Sequence, residues 1–287
     1  MSIQLIPYKP AGTIGSGPYV LREYKPDTGV DVSALSITYT GAHTDYGMVT
    51  MSDGARYRLL AFTASGTLSI EQPVNCEVCV VGGGANGTKA TKDEGGDGGA
   101  GAYLKNQSVS AYNGGPVVVG AGQGVSSIAN VSVNAVSGRN GGTGAGGETA
   151  GTGDGISKYP FEDTSYSLWA GKPHCGGGGQ GTYVQDMGGN MTYGRAGGKG
   201  GTNGGNGYRR VSGDLYYPSG GVGGSYGGGA GGAGNSPTTG NGGNATYYGS
   251  GAGGGRYINA YGDITLYNGG SGYQGIVYIR IPEEQAA

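Results

Sequence analysis

Val80-Val81-Gly82-Gly83-Gly84 and, far downstream, Gly272-Tyr273-Gln274-Gly275 frame the stretch that decides how this chain folds. Of the 71 glycines in 287 residues, eight precede Gly82 and none follows Gly275, so 63 of the 194 residues in between are glycine. Collagen needs glycine at every third position and abundant proline. Here the glycines come in runs of two to four, and the whole chain has 11 prolines. An ordinary core is also hard to build: glycine brings no side chain and loses the most backbone freedom on folding. Fixing each residue costs roughly 1–2 kcal/mol.

Two outcomes follow for residues 82–275. One is a disordered linker. The other is a lattice of extended segments in the polyproline II conformation, with three residues per turn and no internal hydrogen bonds. Such segments can bond to one another through N–H and C=O, and only glycine lets them approach that closely. At roughly 1 kcal/mol net per hydrogen bond, the lattice comes near to offsetting its entropy, so its ends need a clamp.

The flanks supply one. Arg58-Leu-Leu-Ala-Phe-Thr63 reads as a strand, Ala64-Ser65-Gly66 as a turn and Thr67-Leu-Ser-Ile70 as the second strand of a hairpin. Glu71 to Asn75 then connects to Cys76-Glu-Val-Cys-Val-Val81, a strand running into the glycines. Ala102-Tyr-Leu-Lys105, Pro116-Val-Val-Val119 and Ile128-Ala-Asn-Val-Ser-Val133 are strand-like, and Gly275-Ile-Val-Tyr-Ile-Arg-Ile281 closes the array. No stretch has a 3.6-residue apolar period. The expected fold is mainly β plus polyglycine II helices: a small β-framework clamping a packed glycine-rich lattice, with almost no α-helix. Residues 1–55, with Pro7, Pro10, Pro18 and Pro26 and the alternating Leu35-Ser-Ile-Thr-Tyr-Thr40, read as an extended docking segment. Residues 56–282 form the glycine-rich domain and 283–287 a tail.

The stretches "LLAFTASGTLSI…VNCEVCVVGGGANG", "GGDGGAGAYLKNQSVSAYNGGPVVVGAGQG" and "GGSGYQGIVYIRIP" resemble the glycine-rich domain of bacteriophage tail-fibre and baseplate proteins over about residues 57–282. The likeness is specific at its ends; any glycine-rich sequence would align to its middle. It implies a β-framework holding packed polyglycine segments in a virion appendage. The resemblance implies a role similar to that of the tail-tip adhesins of T-even phages, whose polyglycine II helices carry variable loops that touch the host. Residues 1–55 show no clear match to the attachment domain of those adhesins.

Composition excludes several other classes. Net charge is −2, and the only close arginine pair is Arg209-Arg210, so nucleic acid is not an expected partner. No run of 18 apolar residues is present. The first ten residues lack a charged region followed by an apolar one, so no secretory signal is expected. Gly82-x-Gly84-x-x-Gly87 follows a strand, but a dinucleotide fingerprint needs a helix next, and Thr88-Lys-Ala-Thr-Lys-Asp-Glu-Gly-Gly is no such helix. Cys76 and Cys79 are three apart in a strand and so point to opposite faces, which argues for buried small hydrophobes over a metal site. His43 and His174 are the only histidines, and neither belongs to a recognisable catalytic arrangement. No catalytic residue, cofactor or metal is expected.

What interrupts the glycine carries the sharper signal. Tyr, Asn, Ser and Thr dominate, which is the composition of recognition loops: rigid amphipathic rings beside adaptable hydrogen-bonding groups. The candidate contact residues are Tyr159, Phe161, Tyr166, Trp169, Tyr183, Tyr193, Arg210, Tyr216, Tyr217, Tyr247 and Tyr248. The opposing reading is that each ring merely covers bare glycine backbone. For residues 156–169, which hold the only Trp, recognition is the favoured reading. The functional expectation is a virion protein, a tail-fibre tip or baseplate receptor-binding protein. It would dock other tail or fibre proteins through residues 1–55 and bind a host surface glycan or outer-membrane protein. Fibre symmetry suggests a homotrimer. The alternative is a purely structural virion protein with the lattice as a stiff spacer.

Overall fold

The computed structural model describes residues 30–91, 95–133, 159–179, 181, 183–185, 191–192, 240–260 and 263–284. Twelve strands follow in chain order: β1 Ile37–Tyr39, β2 His43–Thr50, β3 Arg56–Phe62, β4 Gly66–Val81, β5 Leu104–Val118, β6 Ser126–Ile128, β7 Val131–Val133, β8 Tyr183–Gln185, β9 Met191–Thr192, β10 Tyr257–Ala260, β11 Asp263–Leu266 and β12 Ile276–Pro282. Among the described residues there is no α-helix, only a 3-10 turn at Pro160–Glu162. The protein is mainly β, as its composition predicts.

The main sheet runs β2-β3-β12-β4-β5-β6-β7, with β1 paired to β4 as well; a smaller sheet runs β11-β10-β8-β9. The last strand in sequence thus lies between β3 and β4, antiparallel to both. This corrects the expected hairpin of residues 58–70. The physical reason lies in β12. Val277, Ile279 and Ile281 are buried on one face, Ile276 and Tyr278 on the other. A strand buried on both faces is stable only with a neighbour on each edge, since no water reaches its backbone groups. Residues 71–75 are not a connection either; they lie within β4, where the register against β5 shifts. Pro73, which has no N–H to donate, sits in that irregularity.

The proposed boundary at residue 55 is corrected too. β1 pairs with β4 and β2 pairs with β3, so residues 37–50 belong to the framework. The predicted strand at 35–40 is observed as β1. Residues 1–29 lie outside the described residues, as do residues 285–287 of the tail.

The framework alternates its side chains into two cores. Leu60, Phe62, Val78, Val80 and Ile279 enter one; Leu59, Ala61, Cys79, Val81 and Tyr278 enter the other. Cys76 and Cys79 fall on opposite sides of this division, so they cannot share a metal ion. Burial pushes the Cys76 thiol up to about 12, and Cys79 is raised by the same cause. Neither is a thiolate at neutral pH.

At one end of this sheet the glycine region begins and ends. Val81, the last residue of β4, pairs with Ile276, the first of β12, and with Leu104, the first of β5. The segments leaving these strands keep bonding beyond the sheet, with a new period. N–H groups of Gly82, Ala85 and Thr88 donate to the carbonyls of Tyr103, Ala100 and Asp97; those of Gly84, Gly87 and Ala90 donate to Tyr273, Gly270 and Tyr267. Each partner recurs every third residue.

Residues 249–256 are the hub. Gly251 and Gly254 donate to Gly176 and Gly179; Ala252 and Gly255 donate to Ala85 and Thr88; Gly253 and Arg256 donate to Gly243 and Gly240. The hub's carbonyls at 249, 252 and 255 accept from residues 102, 99 and 96, and those at 250, 253 and 256 accept from 273, 270 and 267. Five extended segments therefore ring this one, each addressed at three-residue intervals.

Glycine is required here for proximity, not for unusual dihedrals. A Cβ on Gly178 would overlap the carbonyl of Ala252, and one on Gly254 the carbonyl of Gly96. Neither glycine has a left-handed φ. Alanine is accepted at positions such as Ala85 and Ala252, both fully buried. Asparagine side chains join the same ladder. Asn241 and Asn244 Oδ1 accept the N–H groups of Asn268 and Ser271, again three apart, and Asn86 Oδ1 accepts that of Gly272.

Candidate functional site

The turn at Pro160–Glu162 lies in the interruption, residues 156–169, that the sequence reading favoured most for recognition. Phe161 and Glu162 both hold left-handed φ, 54° and 60°, which non-glycine residues rarely adopt. The conformation is held from several sides. Phe161 N–H donates to Asn106 Oδ1 at 3.1 Å. The Phe161 ring lies against the Arg280 guanidinium, which also covers the Tyr57 ring and pairs with Glu77 at 2.9 Å.

Asp163 then pins the next turn. Its carboxylate accepts the N–H groups of Ser165 and Tyr166 and both the N–H and hydroxyl of Ser52. Partial burial raises its pKa, but these hydrogen bonds outweigh that and hold it below the usual carboxylate range.

Trp169 follows, and it is fully buried. Its indole N–H donates to the Asp163 carbonyl. Its ring meets Tyr166 at 4.9 Å, Tyr278 at 5.5 Å and Phe161 at 6.2 Å between centroids. His174 is equally buried, its Nε2 sharing a hydrogen bond of 3.1 Å with the Tyr278 hydroxyl. Burial drives its pKa down to about 3, with a backbone contact to Lys172 opposing only part of the shift. The ring is neutral at any physiological pH. Trp169, His174 and Tyr278 form a rigid inner aromatic layer.

Over this layer lies a belt of partly exposed tyrosines. Tyr247 and Tyr248 stand 5.0 and 6.0 Å from the His174 ring. Tyr248 continues to Tyr273 at 5.6 Å. Tyr46 joins from β2, at a bulge where the register shifts between Asp45 and Met48 and Gly47 takes a φ of 66°. Burial raises the pKa of Tyr248, and the hydroxyls of Tyr273 and Tyr46 add to it. Burial likewise raises Tyr166, with Tyr46 the next contributor. Tyr46 therefore lies near both. Its own relative exposure is 40 % and that of Tyr273 is 37 %.

The sequence candidates divide accordingly. Tyr159, Tyr166, Tyr247 and Tyr248 are half-buried. Trp169 and Phe161 are corrected from contact residues to core residues: their rings fill the second core under the belt and present almost nothing to solvent. Tyr183 falls in β8, within the smaller sheet. Tyr193, Arg210, Tyr216 and Tyr217 lie outside the described residues. Sequence reasoning missed Tyr46 and Tyr273. Asp45-Tyr46-Gly47 carried a usable signal, since Asp before Gly marks a local turn, and Asp45 Oδ1 does accept the Gly47 N–H at 2.8 Å.

Among the described residues no arrangement for metal or phosphate chemistry competes with the belt. Among the described residues no three His, Cys, Asp or Glu side chains group as metal ligands. The N–H groups of Gly84 and Gly87, which a phosphate loop would present, are already bonded to Tyr273 and Gly270. Comparison of the chain with family models, characterised proteins and solved structures found no match.

Proposed function

We propose that this chain is part of a bacteriophage virion appendage, a tail-fibre tip or baseplate receptor-binding protein. It contacts the host cell surface through tyrosines carried on a polyglycine scaffold. The observation that supports this most is the threefold hydrogen-bond repeat around residues 249–256, which we read as polyglycine II packing. Such a lattice is stiff and built without large side chains. It keeps tyrosine-bearing turns in fixed places, and preorganised rings bind at lower entropic cost. The virion location, a homotrimeric state and docking to neighbouring tail proteins through the N-terminal residues belong to the same proposal.

Two measurements test it. Immunogold electron microscopy of purified particles should label the tail or fibre; label confined to capsids, or absent, removes the appendage reading. The purified chain should be retained on whole cells of a susceptible bacterial strain, and Tyr46→Ala with Tyr273→Ala should reduce that retention. The second reading is a purely structural virion protein. It draws on the burial of Trp169 and Phe161, which lays the turn of residues 159–169 down on the framework. Labelled tails without any cell retention would favour it.

A further inference from the structure

The belt has a chemistry specific enough to name a ligand class, given that the host-surface reading above holds. We infer that the surface formed by Tyr46, Tyr166, Tyr248 and Tyr273 is a binding site for an uncharged saccharide. A sugar ring presents an apolar C–H face edged by hydroxyls. A tyrosine presents an apolar ring with a hydroxyl that both donates and accepts. Four such rings on one surface match that alternation.

Three observations carry the inference. The rings are exposed yet constrained. Tyr248 is held between His174 and Tyr273, and Tyr166 rests on Trp169 at 4.9 Å. The floor cannot yield, because Trp169 and His174 are fully buried and Tyr278 nearly so. Rings fixed this way form a platform and do not collapse onto one another when the site is empty.

The third observation is charge. Asp45, beside Tyr46, pairs with Arg58 at 2.7 Å. Asp163, beneath Tyr166, is committed to Ser52, Ser165 and Tyr166. His174 is neutral. Among the described residues the charged groups beside the belt are thus carboxylates already paired, which offer a phosphorylated, sulfated or carboxylated ligand no counter-charge. Lys172, exposed just beyond the Trp169 turn, is the group to vary if an anionic ligand is to be tested.

Trp169 is the only tryptophan, so its fluorescence reports directly from under the belt. The experiment titrates the full chain with short oligomers of glucose, galactose, mannose and N-acetylglucosamine, and in parallel with sialylated and sulfated sugars. At least one neutral probe should give a saturable change that is insensitive to added salt. Tyr46→Ala and Tyr273→Ala should each weaken it about tenfold, near 1.4 kcal/mol. Tyr248→Phe, which keeps the ring and removes only a hydroxyl, should weaken it less, and it guards against a misfolded alanine variant. The inference is overturned if no neutral probe responds, or if binding survives both alanine substitutions. It also falls if only anionic sugars bind, with salt dependence and loss on Lys172→Ala. Cell retention separates this failure from that of the host-surface reading. Chain that binds cells through the belt, uncompeted by any neutral sugar, keeps the broader reading and removes the saccharide. Sugar binding at the belt without retention on any cell does the reverse.

Discussion

The framework sheet and the glycine lattice meet at Val81, Leu104 and Ile276, and on either side of that line opposite rules apply. In the framework, stability comes from side chains: Phe62, Val78, Val80, Val277 and Ile279 are fully buried, each contributing about 1.5–3 kcal/mol of apolar burial. In the lattice it comes from the lack of them. The hub segment bonds to five neighbours, and at Gly251, Gly254 and Gly255 an added Cβ would overlap the backbone it approaches. The framework should therefore fail by subtraction and the lattice by addition. One protein uses both because hydrogen-bonded glycine barely offsets its own ordering entropy, and the lattice holds only where a conventional core fixes its entry and exit side by side.

The largest expected effect tests subtraction. Trp169→Ala removes a fully buried ring from between Tyr166, Tyr278 and Phe161 and should destabilise the protein by about 4 kcal/mol. Urea unfolding followed by circular dichroism measures it. A loss below about 1 kcal/mol would mean that this turn is not core. Addition comes next. Gly178→Ala drives a methyl group into the Ala252 carbonyl and should cost about 3 kcal/mol. Gly54→Ala is the contrast: its Cβ meets nothing within 4 Å, and only the left-handed φ of 82° opposes it, at about 1 kcal/mol. If the two alanines cost the same, close approach is not what these glycines provide.

How much of this could be read beforehand follows the same division. The framework strands were legible, because short, nearly continuous apolar runs at 58–62, 76–81 and 276–281 announce strands buried on both faces whatever their partners. Their pairing was not. Placing β12 between β3 and β4 brings together residues about two hundred positions apart, and no local turn encodes it. The lattice was legible as a possibility, since composition alone leaves little else for ordered glycine. Its segment-to-segment register depends on backbone groups that are identical at every glycine, so sequence offers almost nothing to align. The site split for a different reason. Tyrosine-rich interruptions were visible, but whether a ring faces water or the core is decided by what lies behind it. Trp169 and Phe161 have Tyr278 and Arg280 behind them, residues from the far end of the chain.

A third test turns on His174, which ties the two regions together through Tyr278 in the framework and Tyr247 and Tyr248 in the turn before the hub. Its folded pKa of about 3 lies below the ordinary value of 6.5. Between those values the unfolded chain binds the extra proton, so stability rises with pH there and is lost on acidification. Lowering pH from about 7 to about 5 should cost about 2 kcal/mol through this residue alone. His174→Gln should flatten that part of the pH profile even if it lowers stability overall. A native profile already flat across this range would mean that the imidazole is not sealed.

The last test concerns the two asparagines that bond into the lattice, where side chains return in a role unlike any in the framework. Asn241 and Asn244 do not pack; they lend carbonyl oxygens to the N–H groups of Asn268 and Ser271, as a further glycine segment would. Each such bond contributes about 1 kcal/mol. Asn241→Ala combined with Asn244→Ala should therefore destabilise by about 2 kcal/mol at most, far less than two methyl groups placed at the hub. The diagnostic change is local. Amide hydrogen exchange at Asn268 and Ser271 should accelerate, while Gly270 and Tyr273, bonded to the hub carbonyls of Gly253 and Ser250, keep their protection. Equal exchange rates at all four amides would show that the asparagines are bystanders.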